Sequence, residues 1–157
     1  MPSFGTRSKA KLDQADPKIQ LVMHRAIEIV DFAILTTYRN QADQDEAFRL
    51  KRSTKQWPHS KHNRLPSPAI DIAPWLPSTP HIDWRTDVAL RDAWRVRDEI
   101  EAAKILENIK RWFATVNIIL GVAHGLGIPM RSGGDWDRDF QFDDHRLIDL
   151  PHLELIE

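Results

Sequence analysis

Apolar residues recur at helical spacing over Ile19, Val22, Met23, Ala26, Ile27 and Val30, which predicts a helix with one buried face. Asp16-Pro17 before it supplies a cap and a residue suited to the first turn. The pattern then shortens. Asp31 to Arg39 is rich in β-formers and reads as a mostly buried strand that delivers Arg39 at its end. Asn40 to Lys51 reads as a polar helix whose Gln44 and Phe48, one turn apart, face inward. After a polar loop from Gln56 to Asn63, Ala69 to Ala73 reads as a strand. Alternation there places Ala69, Asp71 and Ala73 on one face and Ile70 and Ile72 on the other. The proline-rich stretch Pro66 to Pro80 around that strand reads as irregular loop over a site rather than a domain boundary.

Trp84 to Ile128 is dominated by helix formers. Ile100, Ala103, Ile105, Leu106, Ile109, Trp112, Phe113, Val116, Leu120 and Ala123 mark one long amphipathic helix, or two with a short break, stopping at Gly125-Leu126-Gly127. The Arg and Asp positions from Trp84 to Glu101 read as a solvated face. Ile128 to Arg131 is a candidate edge strand. His152 to Ile156 has strand alternation, with His152, Glu154 and Ile156 on one face.

With 157 residues and 41% hydrophobic content, the chain is expected to form one compact domain over residues 1–157. Its 22 basic and 23 acidic side chains leave a net charge of -1, which argues against a nucleic-acid partner. The absence of cysteine excludes disulfides, thiolate ligands and a cysteine nucleophile, so any metal must be held by nitrogen and oxygen. The first residues carry no apolar run of signal-peptide length, so secretion by that route is not expected. The most apolar segment, Trp112 to Met130, is broken by Asn117, His124, three glycines and Pro129, so membrane insertion is not expected either.

His62, Asp71 and His152 are the ligand types that hold a catalytic zinc and leave a fourth position to water. His24, His81, His124 and His145 read as packing or surface residues, and His59 as a neighbour shaping a cleft. Ser60 lacks a convincing base and orienting partner, so it reads as a hydrogen-bonding group rather than a nucleophile. Asp135, Asp137 and Asp139 alternate as in the opening of a calcium loop. The downstream Glu and the glycine that such a loop requires are missing, so a loop packing Trp136 on the core is the better reading.

Ser60-x-His62, Ala69-x-Asp71 and Asp149-x-x-His152, in that order, resemble the signature of the VanY-like D-alanyl-D-alanine carboxypeptidase and L-alanyl-D-glutamate endopeptidase family, which includes many phage endolysins. Tyr38-Arg39 with Gln44 resembles the family's Arg-and-Gln element, and Gly133 to Asp137 leading to Leu150-Pro151-His152 resembles the ending of its phage-type members. The resemblance implies an α+β fold with a small antiparallel sheet and packed helices, hedgehog- and DD-peptidase-like. It also implies Zn2+ held by His62, Asp71 and His152, and hydrolysis of peptidoglycan stem peptides. Asp149 would be the general base, Arg39 would bind substrate or stabilise charge, and Ser60 and Gln44 would contact substrate. Glu154, on the strand face of His152, would hydrogen-bond a ligand from behind. The sequence departs from the pattern at one place. Eight residues, Asn63 to Ile70, separate His62 from Asp71 where the family has six with a central glycine.

The expected protein is a monomer. If phage-encoded, it would be made in the host cytoplasm and later released to the cell wall. Cleavage of D-alanyl-D-alanine, and a non-catalytic module that only binds wall peptide, remain as alternatives at this stage.

Overall fold

A computed structural model of the protein describes residues 1–84, 99–139, 141 and 148–156. Three helices and a strand come first: α1 (Thr6–Leu12), α2 (Pro17–Ala26), β1 (Phe32–Thr36) and α3 (Gln41–Arg49). A 3-10 turn (Lys61–Asn63), β2 (Ala69–Pro74), the long helix α4 (Glu99–Gly125), β3 (Met130–Gly133) and β4 (Asp149–Leu155) follow. The four strands form one antiparallel sheet in the order β1-β2-β4-β3, so β2 and β4 are central.

The element ends are set by local chemistry. Asp16 accepts from the Lys18 amide at 2.8 Å with Pro17 in the first turn of α2, and Asn40 accepts from the Asp43 amide at 2.9 Å to start α3. Helix α3 ends with the Lys51 amide on the Phe48 carbonyl (3.0 Å) and the Arg52 amide on the Ala47 carbonyl (2.8 Å). That is the paired-bond stop that calls for a left-handed residue, and Lys51 fills it at φ 57. A side chain other than glycine's costs about 1 kcal/mol in such a conformation. Helix α1 covers the edge of β1. The Ile34 amide donates to Ser8 Oγ (3.1 Å), Lys11 Nζ donates to the Leu35 carbonyl (2.5 Å), and Thr37 Oγ1 donates to the Lys11 carbonyl (2.6 Å).

Ile70 and Ile72 of β2 and Leu153 and Leu155 of β4 pack with Ile19, Val22, Met23 and Ala26 of α2 and with Val116, Ile119 and Ala123 of α4. Alternation then sends Asp71 and its cross-strand partner His152 to the opposite face. Helix α4 is continuous from Glu99, with Ile105, Asn108, Trp112, Thr115, Val116, Ile119 and Ala123 buried. Its inward face is rotated from the expected one, since Ile100 and Leu106 are exposed. Asn108 takes a core position because its amide donates to the Asp83 carbonyl at 3.0 Å. No helix among the described residues is long and apolar enough to cross a membrane. The segment Trp84 to Glu101, read as a solvated face, lies largely outside the described residues, as does His145.

Two local expectations need correction. Phe48 is exposed rather than inward, because α3 turns only Gln44 into the protein. Trp136 packs not on the core but against the ring of His152, with centroids 5.4 Å apart, beneath the guanidinium of Arg131. The turn after β2 borders the start of α4, where Leu76, Pro77 and Ser78 share a cavity with Glu99 and Ile100, and just beyond it Trp84 lines a cavity with Asp71 and Asp149.

Candidate metal centre

Each of the three candidate ligands is delivered by a different element. His62 sits on the 3-10 turn, which Ser60 and Asn63 close as a reciprocal cap. Ser60 Oγ accepts from the His62 amide (3.3 Å) and Asn63 Oδ1 accepts from the Ser60 amide (3.0 Å). The turn is tied to the end of β1 by the Arg39 amide on the His62 carbonyl (2.7 Å). Asp71 and His152 are direct partners across the β2/β4 ladder. The longer path between His62 and Asp71 is pinned at Ser67, whose Oγ donates to the Thr37 carbonyl beside His62. That residue's amide donates to the Gln14 carbonyl and its carbonyl accepts from the Asp16 amide, so both ligands still reach one point.

His62 Nε2, Asp71 Oδ1 and His152 Nδ1 form a triangle with sides of 3.2, 3.1 and 3.2 Å. Ligand atoms about 2.0 Å from a tetrahedral zinc lie about 3.3 Å apart, so the triangle has the size that such an ion sets. The donor set agrees. A carbonyl can only accept, so His62 Nδ1, 2.5 Å from the Thr37 carbonyl, carries the proton and Nε2 presents a lone pair. His152 Nε2 lies 3.2 Å from Glu154 Oε2 and donates to it, which turns the Nδ1 lone pair inward. Two imidazole lone pairs and a carboxylate oxygen thus converge, an arrangement that needs a cation.

The same carboxylates favour positive charge at this point, which a proton on His152 can also supply. Burial disfavours charge on His152, but hydrogen bonds to Asp71 and Glu154 outweigh it and push the ring up to about 9. Burial would raise Asp71, yet the His62 and His152 imidazoles hold it well below the ordinary carboxylate range. Glu154, also opposed by burial, is drawn down to about 2 by His152 and Arg131. Arg131 Nε and Nη2 donate to Glu154 Oε1 at 2.8 and 2.7 Å, and Lys61 Nζ lies 3.5 Å from the same atom. Asp149 moves the other way, raised first by burial and then by the charge of Asp71.

Arg39 donates Nη2 to Asp71 Oδ2 at 2.8 Å, fixing the ligand carboxylate from its far side, and lines the larger of two cavities beside the cluster. That cavity, of about 980 Å³, also reaches Tyr38, Asp71 and Asp149. The second, of about 560 Å³, is lined by His59, Ser60, Trp136, Asp149, His152 and Glu154 among others. Asp149 therefore stands between the two, at the bulge where β4 meets Gly133.

Gln44, expected to contact substrate, is fully buried. Its amide donates to Ser53 Oγ (2.9 Å) and the Lys55 carbonyl (2.6 Å), and its oxygen accepts from Asn63 Nδ2 (3.2 Å). It ties α3 to the loop that carries His62. Sequence reasoning missed the Thr37 carbonyl, Arg131 and Lys61 behind the ligands. Arg131 stands opposite Glu154 only through the β3/β4 register, which residue identity does not reveal.

Residues 2–105 match the phage L-alanyl-D-glutamate peptidase family. The chain belongs to that family. The matched part contains Arg39, His62 and Asp71, while Asp149 and His152 join them through the fold. The crystal structure of the Serratia marcescens L-Ala D-Glu endopeptidase ChiX has the same fold, with a TM-score of 0.64 and 21% identity over 98% of this family member and 89% of that chain. No curated protein matches the sequence. Of the remaining histidines, His81 stacks on Trp75, with centroids 4.5 Å apart, and His24 meets Phe4 edge-on. Asp135, Asp137 and Asp139 gather in the loop after β3, a second acidic group apart from this centre.

Proposed function

We propose that this chain is a zinc-dependent endopeptidase that hydrolyses the L-alanyl-D-glutamate bond in bacterial peptidoglycan stem peptides. The observation that carries the reading is the convergence of His62 Nε2, Asp71 Oδ1 and His152 Nδ1 within 3.2 Å of one another, in a chain of this family. When bound there, zinc supplies an activated water near neutral pH, with a pKa of about 7, and polarises the scissile carbonyl.

The chain's own residues do the rest. Asp149, raised by burial, takes the proton of the attacking water on its carboxylate and returns it to the leaving amine nitrogen. Arg39 keeps Asp71 oriented through Oδ2 and faces the larger cavity, where its charge favours the oxyanion that develops on the carbonyl. Glu154, held by Arg131 and Lys61, fixes the tautomer of His152. Ser60 holds the turn of His62 and borders the smaller cavity, where substrate can reach it.

The test is mass analysis of purified peptidoglycan after digestion by the wild-type protein, with and without a chelator, and by Asp149→Ala. Fragments ending in L-alanine are expected only from the metal-replete wild type. Asp149→Ala should lose about 10²- to 10⁴-fold in turnover while retaining its metal. Equal turnover by the variant would remove Asp149 as the base, and fragments ending elsewhere would remove the assigned bond.

A further inference from the structure

Besides Asp149, the residues that line both cavities are the cations Lys51 and Arg52, which no step above uses and which face Asp43 and Glu46 across the larger cavity's lining. Between Glu46 and Asp71 the chain carries Arg49, Lys51, Arg52, Lys55, Lys61 and Arg64 and no acidic residue, in a protein whose net charge is only -1. Arg49 is taken up by Glu46 at 2.7 Å and Lys61 by Glu154 and the Leu155 carbonyl. Lys51, Arg52 and Lys55 are exposed and form no ion pair among the described residues, although the charge of Arg52 reaches Glu46. Lys51 and Arg52 line both cavities, and Lys55 lines the one on the His152 side.

The backbone gives a second, independent observation. Lys51 holds the left-handed position that closes α3, where glycine fits without strain, and its side chain is exposed. A disfavoured conformation kept beside a site is ground for seeking a function in the side chain it carries. Substrate chemistry supplies one. A glutamyl residue has two carboxyl groups, and a peptide that continues through one of them leaves the other free. The leaving side of an L-alanyl-D-glutamate bond therefore brings an anion toward Asp149, Asp71 and Glu154. A cationic wall offsets that repulsion.

We infer that Lys51 and Arg52, assisted by Lys55, bind the free carboxylate of the glutamyl residue on the leaving side and select carboxylate-bearing stems over amidated ones. The inference rests on the endopeptidase reading above.

The test uses the zinc-loaded protein and two synthetic L-alanyl-D-glutamyl peptides. Both continue through the glutamyl side chain and differ only in whether the remaining carboxyl is free or a carboxamide. The wild type should favour the free acid by about tenfold or more in kcat/KM, the size expected of a charge-assisted hydrogen bond. Lys51→Gly and Arg52→Gln should each shrink that preference by about threefold or more, chiefly through KM, and the double variant should bring it close to one. Lys51→Gly should also melt at or above the wild-type temperature, because glycine suits the left-handed turn. Equal cleavage of both peptides by the wild type would overturn the inference. So would a Lys51→Gly variant that melts lower and loses activity on both peptides alike, which would make Lys51 structural. Cleavage of neither peptide would fail the endopeptidase reading itself and take this inference with it.

Discussion

Glu154→Gln keeps the shape of the side chain and removes the charge that His152, Arg131 and Lys61 share. A carboxamide can turn its NH2 toward His152 Nε2, and the ring would then carry its proton on Nδ1, where a lone pair is required. Zinc affinity is expected to fall about 10- to 100-fold, measured by competition with a chromophoric chelator. An unchanged affinity would mean that the tautomer is set elsewhere. At this scale the sequence made most of the centre legible. His62, Asp71 and His152 could be proposed because nitrogen and oxygen ligands at ordered positions have few other uses, and Glu154 because strand alternation puts it beside His152. The Thr37 carbonyl was illegible, since a backbone acceptor leaves no mark in residue identity. Gln44 was legible as a residue of interest but not as a buried one, because the same carboxamide can serve a loop or a ligand.

Elements carry the next constraint. A Cβ on Gly133 would stand 2.5 Å from the Asp149 carbonyl oxygen and 3.0 Å from both Asp149 Cβ and Trp136 Cζ2. Backbone lies on one side and an indole on the other, so relief requires β3 and β4 to separate at their bulge. Gly133→Ala is expected to cost about 1–3 kcal/mol and to displace Asp149. A thermal melt should register the first effect, and a kcat reduced with metal content intact the second; a variant with wild-type melting and turnover would refute the close approach. Helix α2 and strands β2 and β4 were legible from periodicity because each has one face in the core. Helix α1 was not, since its seven residues bury only Leu12 and its work is done by Ser8 and Lys11 on the edge of β1. The phase of α4 was misread where Asn108, a polar residue satisfied by a backbone carbonyl, took an apolar residue's place.

Across the whole molecule, an ion at this centre would bind together a turn and two strands whose ligands lie at positions 62, 71 and 152. Metal bound only by the folded state stabilises it by mass action, about 4 kcal/mol when free zinc exceeds its dissociation constant a thousandfold. Chelation should therefore lower the melting temperature by several degrees in calorimetry, and zinc should restore it; a melt indifferent to both would argue against the centre. The order of strands and the pair of cavities were not legible in the sequence, because they arise from contacts between segments with no local signature. The pairing of β2 with β4 also bears on when the protein becomes active. On the ribosome, a chain extended only through α4 already holds two of the three ligands yet has no centre, because the third arrives with β4 and must dock in one register. Hydrolytic capacity then waits for that strand to slide between β2 and β3.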